Sequence, residues 1–102
     1  MIRGTTPTII LNLSTSVDLS EVKEMWVTLK SALKEKTFEK SELTIQPSSY
    51  SVSLTLSQED TLEFSAGDVR VQVRFLMNNG RAYASNIKQL RMDEILKDGV
   101  IE

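Results

Sequence analysis

Three acidic residues near the middle of the chain form a grouping with the potential for acid–base or metal chemistry. Glu59 and Asp60 are adjacent, and Asp68 follows a short distance later. Paired carboxylates can transfer protons or bind divalent cations. The same two acids also fit the first turn of a short helix capped by Ser57, where negative side chains are favoured. We interpret them as the solvated acids of a capped turn, and we expect no catalytic residue, no metal site and no cofactor.

Two residue types that carry much of enzyme chemistry are missing. The chain has no histidine and no cysteine, so it lacks the commonest general base and cannot form a disulfide. It also has no glycine-rich phosphate loop, nucleophile elbow or metal-ligand spacing. The sequence therefore predicts a protein that is not an enzyme.

Arginines and aromatic residues are the better candidates for binding. Arg70 and Arg74 alternate with valines, with Gln72 between them. Such arginines either bind phosphate or carboxylates, or form the solvated face of an antiparallel sheet. An exposed tryptophan is often an interface anchor. The candidate interface residues are Trp26, Arg70, Gln72, Arg74 and Tyr83.

Size and charge limit the class of protein further. The 102 residues, with 12 basic and 14 acidic side chains, carry a net charge of −2 and are enough for one domain, 1–102. There is no basic excess of the kind that nucleic-acid binding needs, and no apolar run long enough to span a bilayer. The first residues lack the apolar region of a signal peptide. We expect neither a nucleic-acid nor a membrane partner.

The segment from Asp68 to Leu90 gives the clearest structural prediction. Every second residue from Val69 to Met77 is apolar, which indicates a strand with one buried face. A three-residue loop, Asn78-Asn79-Gly80, keeps the large apolar groups of the returning strand on that face, whereas a two-residue loop does not. With this loop we expect Phe75 opposite Tyr83, Val73 opposite Ser85, and Val71 opposite Ile87.

The segment from Leu19 to Lys36 has two interpretations, and it follows a polar connection from Ser14 to Ser20. Apolar residues at three- and four-residue spacing favour a helix, with Asp18 at its N-terminus. Alternation of Met25, Val27 and Leu29 with polar residues favours a strand. We predict a strand because the patterns in the rest of the chain indicate β-strands.

The remaining pattern completes an all-β fold. We predict strands from Thr8 to Leu13, from Lys36 to Lys40 around Phe38, from Leu43 to Gln46 and from Tyr50 to Leu56, and one helical turn after Ser57. We therefore predict an antiparallel, immunoglobulin-like β-sandwich of six to seven strands. The predicted core comprises Ile9, Leu11, Val27, Leu29, Val52, Leu54, Val71, Val73 and Phe75.

Several segments together resemble a known group of proteins. These segments are MIRGTTPT, LSQEDTLEF, VRVQVRFL before an NNG turn, and AYASNI followed by ILKDGVI. They resemble short prophage-encoded proteins of Gram-positive bacteria, similar in layout to the N-terminal β-sandwich domain of phage baseplate upper proteins. Within these 102 residues we expect no counterpart of the C-terminal receptor-binding or coiled-coil part of those longer proteins.

This resemblance implies a structural role in a phage particle. The expected function is that of a tail or baseplate accessory that assembles with other phage structural proteins and with its own copies. The expected location is the virion, or the host cytoplasm during assembly. The alternative is a carbohydrate-binding or adhesion module of a phage or bacterial surface, which would use exposed aromatic side chains.

Overall fold

The computed structural model describes residues 1–13 and 17–102, and in this part of the chain eight strands and one short helix form. The strands are β1 (Thr8–Asn12), β2 (Val22–Lys30), β3 (Glu35–Glu39), β4 (Thr44–Gln46), β5 (Ser51–Thr55), β6 (Gly67–Met77), β7 (Ala82–Ala84) and β8 (Lys88–Met92). The helix is α1 (Gln58–Leu62), and single 3-10 turns cover Leu19–Glu21, Lys40–Glu42 and Pro47–Ser49. Residues 14–16 of the predicted polar connection lie outside the described residues.

The strands form two antiparallel sheets, which confirms the all-β, sandwich-like fold. The smaller sheet has the order β1-β5-β4, and the larger has the order β3-β2-β6, with β7 and β8 sharing the far side of β6. Apolar residues of both sheets join in one core, and all nine predicted core residues are buried. The immunoglobulin-like layout stays a prediction. No helix among the described residues is long and apolar enough to cross a membrane.

The structure explains why the segment around β2 resembled a helix. A 3-10 turn at Leu19–Glu21, capped by Asp18, precedes the strand, and a bulge lies between Val22 and Glu24. The turn and the bulge each shift the alternation by one residue. The buried residues Leu19, Val22 and Met25 therefore recur every three residues, after which ordinary strand alternation continues. The strand prediction is confirmed.

The central hairpin has the predicted three-residue loop. Met77 and Arg81 close it, and Gly80 has a φ of +89°, which glycine adopts without strain. Phe75 pairs with Tyr83, and their rings stack with centroids 5.4 Å apart. This part of the register is confirmed.

The predicted pairing of Val71 with Ile87 is wrong. Val71 pairs with Lys88, because one extra residue is accommodated between Ser85 and Lys88. The Ser85 backbone N–H donates to the Val73 carbonyl oxygen at 2.8 Å, and the Ser85 hydroxyl accepts from the Val73 N–H at 3.0 Å. The extra residue divides the returning strand into β7 and β8. In β8 it reverses which residues point to the core and which point to the outer face. As a result Met92 is buried, and Ile87 is 56% exposed.

Ion pairs connect the helix α1 to the larger sheet. Ser57 caps α1, and its backbone N–H donates to the Asp60 carboxylate at 2.9 Å. The ammonium of Lys36, the second residue of β3, lies 2.8 Å from both Asp60 Oδ1 and Glu63 Oε2. This cluster links the helix to β3, the strand at one edge of the larger sheet.

The first and last residues of the chain are held together by Arg3. Its guanidinium donates to the carbonyl oxygens of Phe64 at 2.7 Å and of Leu62 at 3.2 Å, and it forms an ion pair with Glu94. The backbone of the same segment bridges Ile2 to Asp93, beside β8. The residues that follow β8 return to α1, where Ile101 exchanges two hydrogen bonds with the Gln58 side chain.

Candidate interface on the larger sheet

The outer face of the larger sheet, which is the side directed away from the smaller sheet, carries most of the predicted interface. Met25, Val27 and Leu29 are fully buried, so the residues that alternate with them in β2 point outward. Trp26 is therefore on this face and is half-buried. Its direct neighbours are Arg74 in β6 and Glu39 in β3.

Charges on the outer face are sorted by strand. On one side of β2, the outward residues of β6 include Arg70 and Arg74. On the other side, the outward residues of β3 include Glu35 and Glu39. We call these the basic column and the acidic column. Because each strand is a direct neighbour of β2, the two columns lie at equal distances, about 4.8 Å, from its axis.

The charged residues of both columns are exposed, and none of them forms an ion pair with an opposite charge in the part of the chain that the structure describes. Among the ion pairs that the described residues form, none involves Arg70, Arg74, Glu35 or Glu39. Moreover, Lys30 lies directly opposite Glu35 on one side and Arg70 on the other, and the pairing with Arg70 brings two like charges together. A partner that brings carboxylates to the basic column would relieve this repulsion.

Polar contacts give the centre of the outer face a fixed shape. The hydroxyl oxygens of Thr28 and Thr37 lie 2.9 Å apart across β2 and β3. The Gln72 amide donates to the Ser85 carbonyl oxygen at 3.0 Å, so this predicted interface residue also supports the bulge. A shallow depression of about 410 Å³ lies here, and Ile87 forms one of its walls because of the bulge. The other outward residues lining it are Thr28, Lys30, Glu35, Arg70, Gln72 and Arg74.

Tyr83 is separated from the other four candidates. It is half-buried, and its ring stacks on the buried Phe75 on the core side of the sheet. There it lines a cleft of about 510 Å³ between β1 and β7, with Leu11 and Leu13 opposite. Trp26 and Tyr83 thus lie on different faces of the larger sheet, and they do not form one aromatic platform for a sugar.

The acidic residues of the middle of the chain do not gather into a site. Asp60 is held by Lys36 and Ser57, whereas Glu59 and Asp68 are exposed, and none of the three lines either depression. Burial would raise the pKa of the Asp60 carboxyl, but the Lys36 ammonium and the donors of Ser57 hold it below its ordinary value. Within the described residues, no group of three or more acidic side chains is placed to hold a metal ion.

Residues that the sequence analysis did not select complete the outer face. These are Thr28, Lys30, Glu35 and Glu39, together with Ile87. The alternation in β2 and the buried Phe38 in β3 could have placed the first four outward. Their position beside the arginines depends on the strand order β3-β2-β6, which no local pattern shows.

We compared the chain with known protein families, curated proteins and solved structures. No protein-family model, no curated protein and no solved structure matches the chain.

Proposed function

We propose that this protein is a non-enzymatic structural protein that acts by assembly, with the outer face of the larger sheet as its docking surface. The observation that carries the proposal is the half-buried Trp26, flanked on one side by arginines and on the other by glutamates, all without ionic partners among the described residues. Tryptophan and arginine are the residues most enriched at the energetic centres of protein interfaces.

The setting that we propose is a phage or prophage particle, in which the protein is a tail or baseplate accessory. This part of the proposal rests on the sequence resemblance of five segments spread over the chain. A small domain with a rigid, charged sheet face suits a role in which one surface is repeated in a symmetric assembly.

Binding measurements with purified proteins test the proposal. We expect the protein to associate with itself, or with the product of a neighbouring gene, in sedimentation velocity experiments. The Arg74→Glu variant should weaken this association by at least about tenfold, because like charges facing each other across an interface are strongly unfavourable. Arg81→Glu, which makes the same charge change in the exposed hairpin loop, serves as the control. A protein that stays monomeric and binds none of those products would contradict the proposal.

A further inference from the structure

We infer that the partner of the outer face is a second copy of the same chain, docked face to face about a two-fold axis that runs parallel to β2. The inference deepens the proposed function and rests on it. It follows from the order of the strands and the sorting of charge between them, with the acidic column on β3 and the basic column on β6.

The symmetry makes the charge pattern self-complementary. A two-fold axis along β2 exchanges the strands on its two sides, so β3 of one copy lies above β6 of the other. Glu39 and Arg74 lie on either side of Trp26, and Glu35 and Arg70 lie on either side of Lys30. The rotation therefore places Glu39 of one copy against Arg74 of the other, and Glu35 against Arg70. Because the interface is isologous, each of these contacts occurs twice.

The other two-fold axis in the plane of the sheet gives the opposite result. An axis perpendicular to the strands places β3 above β3 and β6 above β6. Glutamates would then face glutamates and arginines would face arginines, which is strongly unfavourable. The charge pattern therefore selects the axis parallel to the strands.

The dimensions and the central residues agree with this arrangement. Packed sheets lie about 10 Å apart, a distance that an arginine and a glutamate side chain span together. Trp26 and Thr28 lie next to the axis, where Trp26 meets its symmetry mate and excludes water from the ion pairs. Glu24 and Lys30, at the ends of β2, face their own copies across the axis, and Lys30 has the opposite charge of Glu35 directly beside it in β3. The four contacts between glutamate and arginine outnumber these two contacts between like charges.

A charge exchange between two variants tests the inference. Glu39→Arg and Arg74→Glu each place like charges at two contacts of the homodimer, so each variant alone should dimerise at least about tenfold more weakly than the unaltered chain. In an equimolar mixture, both contacts of the mixed dimer are again between opposite charges. We expect sedimentation velocity to show dimers in the mixture at concentrations where each variant alone is monomeric.

Arg81→Glu and Glu102→Arg, which change charge away from the outer face, should dimerise like the unaltered chain. If either principal variant does not fold, judged by circular dichroism, the pair Glu35→Arg and Arg70→Glu replaces it. Unchanged dimerisation of the single variants, or a mixture that stays monomeric, would overturn the inference. A monomeric chain whose binding to another protein is weakened by Arg74→Glu would overturn it while leaving the proposed function intact.

Discussion

The hydroxyl of Ser85 takes the place of a backbone carbonyl opposite Val73. It accepts the Val73 N–H at 3.0 Å and donates to the Asn86 carbonyl oxygen at 3.0 Å. This side-chain contact keeps the backbone of β6 hydrogen-bonded where the returning strand bulges. Two consequences follow: Met92 is directed into the core, and Ile87 is directed to the outer face.

Replacement of Ser85 by alanine should therefore weaken the hairpin. Ser85→Ala leaves the N–H of the buried Val73 without its acceptor, and we expect the free energy of unfolding to fall by about 1–2 kcal/mol. Urea denaturation followed by circular dichroism measures the change. Ser65→Ala, at an exposed position, is the matched control. Equal stability of the two variants would show that the hydroxyl does not support the bulge.

Arg3 should contribute to stability although it stands near the start of the chain. Its guanidinium donates to two backbone carbonyl oxygens near the end of α1 and pairs with Glu94, and its side chain is only 16% exposed. Because Arg3→Ala leaves these acceptors without a donor, we expect a loss of about 1–3 kcal/mol in the free energy of unfolding.

Thermal and urea unfolding of Arg3→Ala, compared with Arg81→Ala, measure this loss. Arg81 is exposed in the hairpin loop and forms no ion pair among the described residues. A variant of Arg3 that unfolds like the unaltered chain would contradict the assignment of Arg3 as the link between the two ends.

The cluster of Lys36, Asp60 and Glu63 should make stability depend on pH in both directions. The Asp60 carboxylate, followed by that of Glu63, raises the pKa of Lys36, and the pKa of Asp60 is lowered. The contribution of Asp60 is complete above its unfolded-state pKa and is lost as the pH falls through its folded-state pKa. That of Lys36 is complete below its unfolded-state pKa and is lost as the pH rises through its folded-state pKa.

A comparison of the unaltered chain with Asp60→Asn checks the acidic side. A protonated Asp60 resembles asparagine, so the difference in unfolding free energy between the two proteins should shrink as the pH falls. Asp68→Asn removes an exposed carboxylate outside the cluster and shows the effect of lost charge alone. A difference for Asp60→Asn that stays constant from neutral to acidic pH would contradict the role of the cluster.

The features that the sequence predicted correctly are those with short-range causes. The alternation in β6 defines its buried face, and Gly80 defines a three-residue loop. Ser57 and Asp60, three residues apart, form the capping box that begins α1. In each case the interacting residues are close together in the chain, so their types and spacing suffice.

Features that depend on partners distant in the chain were missed. The extra residue after Ser85 follows from the register against β6, because alternation alone favours continuing the strand to Ile87. The acceptors of Arg3 lie 59 and 61 residues away. The residues that share the outer face could be grouped only in part for the same reason: Arg74 was selected from its own strand, whereas Glu39 needs the order of three strands to be placed beside it.

Fluorescence of the unaltered protein tests the face-to-face association most directly. The chain has one tryptophan, so its emission reports on Trp26 alone. We expect the emission maximum to shift to shorter wavelength as protein concentration rises and Trp26 is removed from water. The Arg74→Glu variant should show no shift, and its mixture with Glu39→Arg should show it again. An emission maximum that stays constant while sedimentation shows dimers would place the interface elsewhere and contradict the account.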